Sequence, residues 1–245
     1  MNPYQIFFEL DKFNRIIFNE EDHSYFYDGV QCTSTTELIS AFKKPFNAPV
    51  IAKAYAKKRD LNYQDVLDDW ENQKVTAQKK GTEIHKYAEM RFLCKSYTPT
   101  EDGPPALVKM VDQFYNDVMN KLVLIKAEMI IGDKDLLLCG MVDKLFYNKK
   151  ANELQIWDYK TNKELRKTSK YKQKLTGDLK HLPDCNFNTY SLQMGIYKAL
   201  IERNTNLKLG SSFLVWLNEN NDTYKIFKTD DLDKEVGIML DSIKL

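Results

Sequence analysis

The chain has 245 residues, 43% of them hydrophobic, enough to bury a substantial core in one elaborated domain or a domain with a subdomain. Its 36 basic and 35 acidic residues leave a net charge of +1, so there is no global attraction to nucleic acid, and any hold on phosphate must come from local patches. No apolar run approaches the ~20 residues that cross a bilayer, and the first ten residues lack a basic start followed by an apolar block; the expectation is a soluble, cytoplasmic protein with no membrane partner.

In chain order, the runs Arg15 to Glu20 and Ser24 to Gln31 are rich in β-branched and aromatic residues and flank the turn-prone Glu21, Asp22 and His23, which predicts a hairpin. Ser34, Thr35 and Thr36 offer an N-cap for a short helix to about Phe42, ended by Lys44 and Pro45. From Ala48 to Lys79, apolar residues recur at helical spacing, notably Val50, Ala54, Leu61, Val66, Leu67 and Trp70, and two helices are expected. Gly81 and Thr82 are read as an interruption, with Thr82 capping a new helix to Leu93 that carries His85 and Glu89. Gly103, Pro104 and Pro105 precede another helix, Ala106 to Lys121. Leu122 to Ile131, Leu136 to Tyr147 and Leu154 to Lys160 read as three consecutive antiparallel strands. A lysine-rich connection over 162–187, longer than an ordinary surface loop, leads to a helix from Thr189 to Arg203, two strands (Ser211 to Leu217, Thr223 to Lys228) and a short last helix.

Chemistry concentrates in the middle. Alternate side chains of a strand share a face, so Asp158 and Lys160 point one way while Trp157 and Tyr159 point the other. A hairpin register with Tyr147 opposite Leu154 also sets Asp143 opposite Asp158, and two converging carboxylates suit a hard divalent cation, which takes oxygen ligands and leaves sites open to water. Taken alone, Asp-x-Lys also describes an ordinary solvated strand.

Four blocks in order carry a family resemblance: Gly81, Thr82, Glu83, Ile84, His85; Gly140, Met141, Val142, Asp143; Asp158, Tyr159, Lys160, Thr161; and Gln193, Met194, Gly195, Ile196, Tyr197. They resemble the Gly-Thr-x-x-His, Gly-x-x-Asp, Asp/Glu-x-Lys and Gln-x-x-x-Tyr blocks of the RecB-like branch of the PD-(D/E)XK nuclease superfamily, over roughly Gly81 to Arg203. The run Thr33 to Phe46 also resembles the opening of some members. The resemblance implies an α/β, restriction-endonuclease-like core with a mixed central β-sheet flanked by helices, residues 81–245, preceded by a hairpin and helical substrate-access region, residues 1–80. It implies Mg2+ or Mn2+ held by His85, Asp143, Asp158 and the backbone carbonyl of Tyr159, with Lys160 as the catalytic lysine and Gln193 and Tyr197 orienting the site or the DNA end. Exonucleolytic cleavage of DNA, single-stranded or with free ends, follows as the expected activity. The setting it implies is phage or mobile-element replication and recombination in a bacterial cytoplasm, with any helicase or recombination protein a separate chain. Some relatives hold an iron–sulfur cluster through cysteines after the last helical block. With Cys32, Cys94 and Cys139 scattered and nothing beyond Cys185, none is expected here.

Gln193 and Tyr197 are four apart and share a helix face, as do His85 and Glu89, while Leu192, Ile196, Ala199 and Leu200 make the Gln193 helix amphipathic toward the sheet. Glu89 is either a solvated charge or a support to His85 or the metal, and Glu128 is a reserve member of the carboxylate cluster. His23 and His181 are read as ordinary histidines. Lys163, Arg166, Lys167, Lys170, Lys172 and Lys174 follow the Lys160 strand directly and are read as DNA-binding; Lys53, Lys57, Lys58 and Arg59 beside Tyr55 form a second basic stretch that can bridge over the site. Two rival readings are a non-catalytic nucleic-acid-binding module of the same fold and a restriction-type endonuclease.

Overall fold

The computed structural model describes residues 3–244; Met1 and Asn2, which belong to the expected access region, lie outside the described residues. The fold is mixed α/β, a central sheet of parallel and antiparallel strands with helices on both faces.

A helix that the sequence reading does not contain, α1 (Pro3–Leu10), opens the chain and leads through a 3-10 turn into β1 (Ile16–Asn19). The expected hairpin follows with β2 (Ser24–Tyr27), but Ser24 to Gln31 is not one strand: Asp28 and Gly29 take φ of 49° and 82° and turn the chain into β3 (Val30–Ser34). Two consecutive left-handed residues are what a tight turn between twisted strands requires, and Asp-Gly is the sequence signal for it. Ser34 then caps α2 (Thr35–Ala41) in a full capping box, its hydroxyl accepting from Glu37 N at 3.1 Å while the Glu37 carboxylate accepts from Ser34 N at 2.7 Å.

The predicted pair of helices is α3 (Ala48–Arg59) and α4 (Tyr63–Phe92), separated where Asp60 turns left-handed (φ 55°) and Asn62 caps the next helix. Their small shared core is Ala52, Ala56 and Val66 with Leu67 and Trp70 against it; Val50, Ala54 and Leu61, expected on the inner face, are exposed. The expected break at Gly81 and Thr82 is absent. α4 runs on for 30 residues, because docking of Ile84 and Ala88, both fully buried, outweighs the small helix penalty of one glycine. The boundary at residue 80 therefore falls inside a helix, and residues from Ile6 to Ser34 contribute to the same sheet and core as the rest.

After α5 (Pro105–Val118) come β4 (Leu122–Asp133), β5 (Leu138–Asn148) and β6 (Glu153–Lys160), antiparallel as predicted. Tyr147 does face Leu154. β4 covers one edge of β5 along its length, while the other edge is shared: parallel β3 pairs with Leu138 and Cys139, and β6 pairs with Lys144 to Asn148. Between them the sheet forks. β6 leaves β5 after Trp157 and continues against parallel β7 (Phe213–Trp216), which pairs with β8 (Lys225–Lys228).

The face bearing Leu154 and Ile156 packs against α2 and α6 (Asn186–Asn204), and the opposite face, with Trp157 and Tyr159, against α5 and the end of α4. α6 is not amphipathic. α7 (Asp233–Asp241) covers its outer side with Val236, Met239 and Leu240, so that Met194 and Ile201 are buried as fully as Leu192 and Ile196. The lysine-rich connection is anchored rather than loose: Leu175, Leu179 and Cys185 are buried, and Thr176 N donates to Phe42 O at 2.8 Å. Among the described residues no helix is long and apolar enough to cross a membrane, and all four cysteines are free, three of them buried.

Candidate metal centre

The polar residues gather at the fork, where a sheet has unpaired backbone to offer. Asp143 is the first β5 residue beyond the last rung shared with β6, and its Oδ2 accepts from Tyr159 N at 2.9 Å, so a side chain supplies the acceptor that the missing β5 main chain would have given. Its Oδ1 accepts from Lys144 Nζ at 2.8 Å.

His85, from the last turns of α4, brings its imidazole between two acceptors: Nε2 is 2.9 Å from Tyr159 O and Nδ1 is 3.3 Å from Asp143 Oδ2. Burial works against an imidazolium here, but the Asp143 carboxylate outweighs it and lifts His85 to about 9. Glu128 lies across from Asp143 at an irregular point of β4. The residue has φ of 45°, and the ladder passes from Met129 to Ala127 without it. Such a backbone costs on the order of 1–3 kcal/mol for a residue with a Cβ and is held only when the surroundings fix it. Burial and the neighbouring Asp143 push the Glu128 carboxyl up to about 8.

The ligand atoms of His85, Glu128 and Asp143 all lie within 4.8 Å of one another. Only one ring nitrogen can bind a cation: on the Nδ1 side, the 3.3 Å spacing to Asp143 Oδ2 approaches the roughly 3.0 Å edge of an octahedron with bonds of about 2.1 Å, the geometry Mg2+ demands, while Nε2 faces Tyr159 O. Hard oxygen donors with one imidazole fit such a cation, which keeps several of its waters. Asp158 stands beside the trio. Its Oδ2 is buried and makes no hydrogen bond among the described residues, although Lys160 Nζ is 2.6 Å away in an ion pair, so that oxygen retains donor capacity for a cation.

Lys160 faces α6, with Gln193 Oε1 at 3.5 Å and the Tyr190 ring 4.5 Å below its ammonium. Burial opposes its charge, but Asp158 outweighs burial and raises it. Gln193 Nε2 donates to the Tyr197 hydroxyl at 2.9 Å, and burial raises that phenol. A chain of contacts thus runs Asp158, Lys160, Gln193, Tyr197. Gly140 makes the last member possible: a Cβ there would lie 2.5 Å from Tyr197 Cε1 and 2.7 Å from Thr35 Oγ1.

Glu89 does not touch His85; it pairs with Lys86 at 2.9 Å on the rim. Lys163, Lys170, Lys172 and Lys174 are exposed, Arg166 is engaged by Glu164, and Lys167 is 3.6 Å from Asp230 with its ammonium over Phe187. Tyr55 carries Arg59 over its ring and meets Trp70, so part of the second basic stretch is used within the α3–α4 arm.

Two residues of the site, Lys144 and Tyr190, are absent from the sequence reading. Lys144 follows Asp143 directly and strand alternation sends it to the opposite face, yet it is fully buried and reaches Asp143 at 2.8 Å and Glu128 at 3.5 Å; only the irregularity of β4 brings the three together. Burial opposes its charge and the two carboxylates more than restore it. Tyr190, three residues before Gln193 and on the same helix face, was detectable from that spacing.

No protein-family model and no curated protein matches the chain. A solved structure described as the crystal structure of SSO0001 is similar over 98% of this chain and 83% of its own, at 10% sequence identity and a TM-score of 0.35. A likeness of that strength assigns neither family nor function.

Proposed function

We propose that this chain is a metal-dependent deoxyribonuclease with a restriction-endonuclease-like core of the RecB-like PD-(D/E)XK type, acting from DNA ends. One observation carries the reading: at a fork between two antiparallel strands, ligand atoms of Asp143, His85 and Glu128 lie within 4.8 Å of one another, with the Tyr159 carbonyl against the His85 ring and the Asp158–Lys160 pair beside it. The four sequence blocks thus converge in space as well as in order.

His85, Asp143 and the Tyr159 carbonyl, with Glu128 or Asp158 completing the set, would hold Mg2+ or Mn2+. When bound, the cation supplies Lewis acidity that offsets charge on the phosphodiester and acidifies water. Lys160, kept protonated by Asp158, donates to a non-bridging phosphate oxygen or to the leaving oxygen as negative charge accumulates. Gln193 fixes the Lys160 side chain laterally and is itself fixed by Tyr197, which limits the ammonium to one position. The exposed Lys163, Lys170, Lys172 and Lys174 follow the backbone away from the site and make binding salt-dependent.

The test is incubation of the purified protein with circular, linear duplex and single-stranded DNA, in Mg2+, in Mn2+ and in EDTA. Linear forms are degraded in either metal and closed circles are spared; Asp158→Ala and Lys160→Met bind DNA without cutting it. Discrete fragments from closed circles would make the same site an endonuclease. Intact DNA of every form in metal-replete protein would refute the enzyme reading.

A further inference from the structure

The β1–β2 hairpin stands over the metal centre, and the proposed function leaves it without a task. Phe18 and Tyr25 are directly opposed across the two strands, on the face whose inner pair, Ile16 and Tyr27, is buried in the core. The inner pair anchors the hairpin; the outer pair is half-buried and projects into a cleft of about 880 Å³. The Phe18 and Tyr25 ring centres are 4.8 Å apart, and His23 lies 5.7 Å from Phe18 at an interplanar angle of 28°. His23 has φ of 54°, a conformation rare for a residue with a Cβ, and thereby folds its ring back onto Phe18. The opposite wall of the cleft holds His85, Glu128, Lys86 and Glu89.

This cleft is large enough for a nucleotide, and its chemistry selects which part enters. Four carboxylates, Glu20 on the hairpin side and Glu83, Glu89 and Glu128 across from it, line the cleft with Lys86, so away from a bound cation the cleft disfavours a phosphate. A neutral heterocycle is not disfavoured: the rings of Phe18, His23 and Tyr25 give it a surface to stack on, and carboxylates accept from its amino groups. We propose that Phe18, His23 and Tyr25 form a stacking subsite for the unpaired base of a terminal nucleotide, next to the phosphate held at the metal centre. This rests on the deoxyribonuclease reading and narrows it. A base inside a duplex has both faces covered by its neighbours, so the end this chain engages is single-stranded or frayed.

The test measures binding of a short single-stranded oligodeoxynucleotide in calcium, intact and with the terminal base removed at the 5′ or the 3′ end, by fluorescence anisotropy. Wild type loses affinity about fivefold or more when the base is missing at one end, which also assigns polarity. Phe18→Ala loses as much on the intact strand and is then indifferent to the missing base. Phe18→Trp restores discrimination, and His23→Ala, at an exposed position that tolerates change, lowers it with the fold unaltered by circular dichroism. Phe18→Ala binding the intact strand like wild type, or still sensing the missing base, overturns the subsite while leaving the nuclease reading in place. A wild-type dimer that Phe18→Ala makes monomeric assigns the face to a second copy and also overturns it. Absence of DNA binding by wild type removes both.

Discussion

Replacing Lys144 by methionine isolates the least ordinary charge in the molecule. The side chain is fully buried, and its ammonium is 2.8 Å from Asp143 Oδ1, 3.2 Å from Asp143 O and 3.5 Å from Glu128 Oε1. Methionine fills nearly the same volume, so the loss is electrostatic rather than a cavity. At an effective dielectric of about 20 the Asp143 contact alone is worth roughly 6 kcal/mol, from which the recovered desolvation of the lysine must be subtracted; breaking one side of a buried pair costs about 3–5 kcal/mol in practice. For a chain of this size that lowers Tm by about 10 °C. Urea denaturation in EDTA, followed by tryptophan fluorescence, to which Trp157 in the neighbouring buried cluster contributes, reads it. Adding Asp143→Asn to Lys144→Met should recover roughly 1.5 kcal/mol or more relative to the sum of the single variants, because the carboxylate left without its cation is then gone. A loss below about 1 kcal/mol for Lys144→Met, with an unchanged m value, would mean that water reaches this ammonium, and the argument from burial would fail.

Three further outcomes follow from the same structure. His85 at about 9 and Glu128 at about 8 both hold protons near neutrality, so divalent-metal affinity should rise between pH 6.5 and 9, by up to about tenfold per pH unit for each proton released. Metal-free stability should move the opposite way, since the His85 contribution is complete below its ordinary value of 6.5 and is lost as pH rises through about 9. Titration calorimetry in buffers of different ionisation enthalpy counts the protons, and an affinity flat over this range refutes the assignment. Gly81→Ala meets only Thr161 Oγ1, at an ordinary 3.7 Å, and should stabilise α4 by about 0.5–1 kcal/mol; a lower Tm would contradict the uninterrupted helix. Asp133→Ala should cost about 2–3 kcal/mol, since the buried carboxylate accepts from Asp135 N, Leu136 N, Arg203 Nε and Asn204 Nδ2. Burial pushes that carboxyl up, yet Arg203, Leu136 N and Asn204 hold it below its ordinary value, so this contribution is present above that value and fades as pH falls below it; denaturation curves at falling pH check the sign.

Much of the site was legible because strands have only two faces. Parity alone put Asp158 with Lys160, and the turn after Asn148 fixed Tyr147 against Leu154. Local chemistry also located the Ser34 cap. What escaped depends on contacts distant in sequence. Gly81 and Thr82 carry every local mark of a helix break, and only the docking of Ile84 and Ala88 on the sheet overrides it. α6 reads as one-sided until α7 arrives some thirty residues later to cover the other side, with Val236 against Gly195. Alternation sends Lys144 to the face opposite Asp143, and nothing short in sequence announces that β4 passes Glu128 with a left-handed backbone. The Asp28-Gly29 turn was there to be read.

Asp143 has two employers. One carboxylate oxygen closes the sheet where β5 and β6 part, by accepting Tyr159 N, and the other restrains a buried lysine. Architecture and chemistry therefore impose the same residue for unrelated reasons, and a descendant that had given up turnover would still need an aspartate there to keep its strands joined. Asp158 and Lys160 carry no such second duty toward the ladder by their side chains. On the proposed reading, loss of turnover would leave Asp158 and Lys160 free to change while the strand fork still held Asp143 in place.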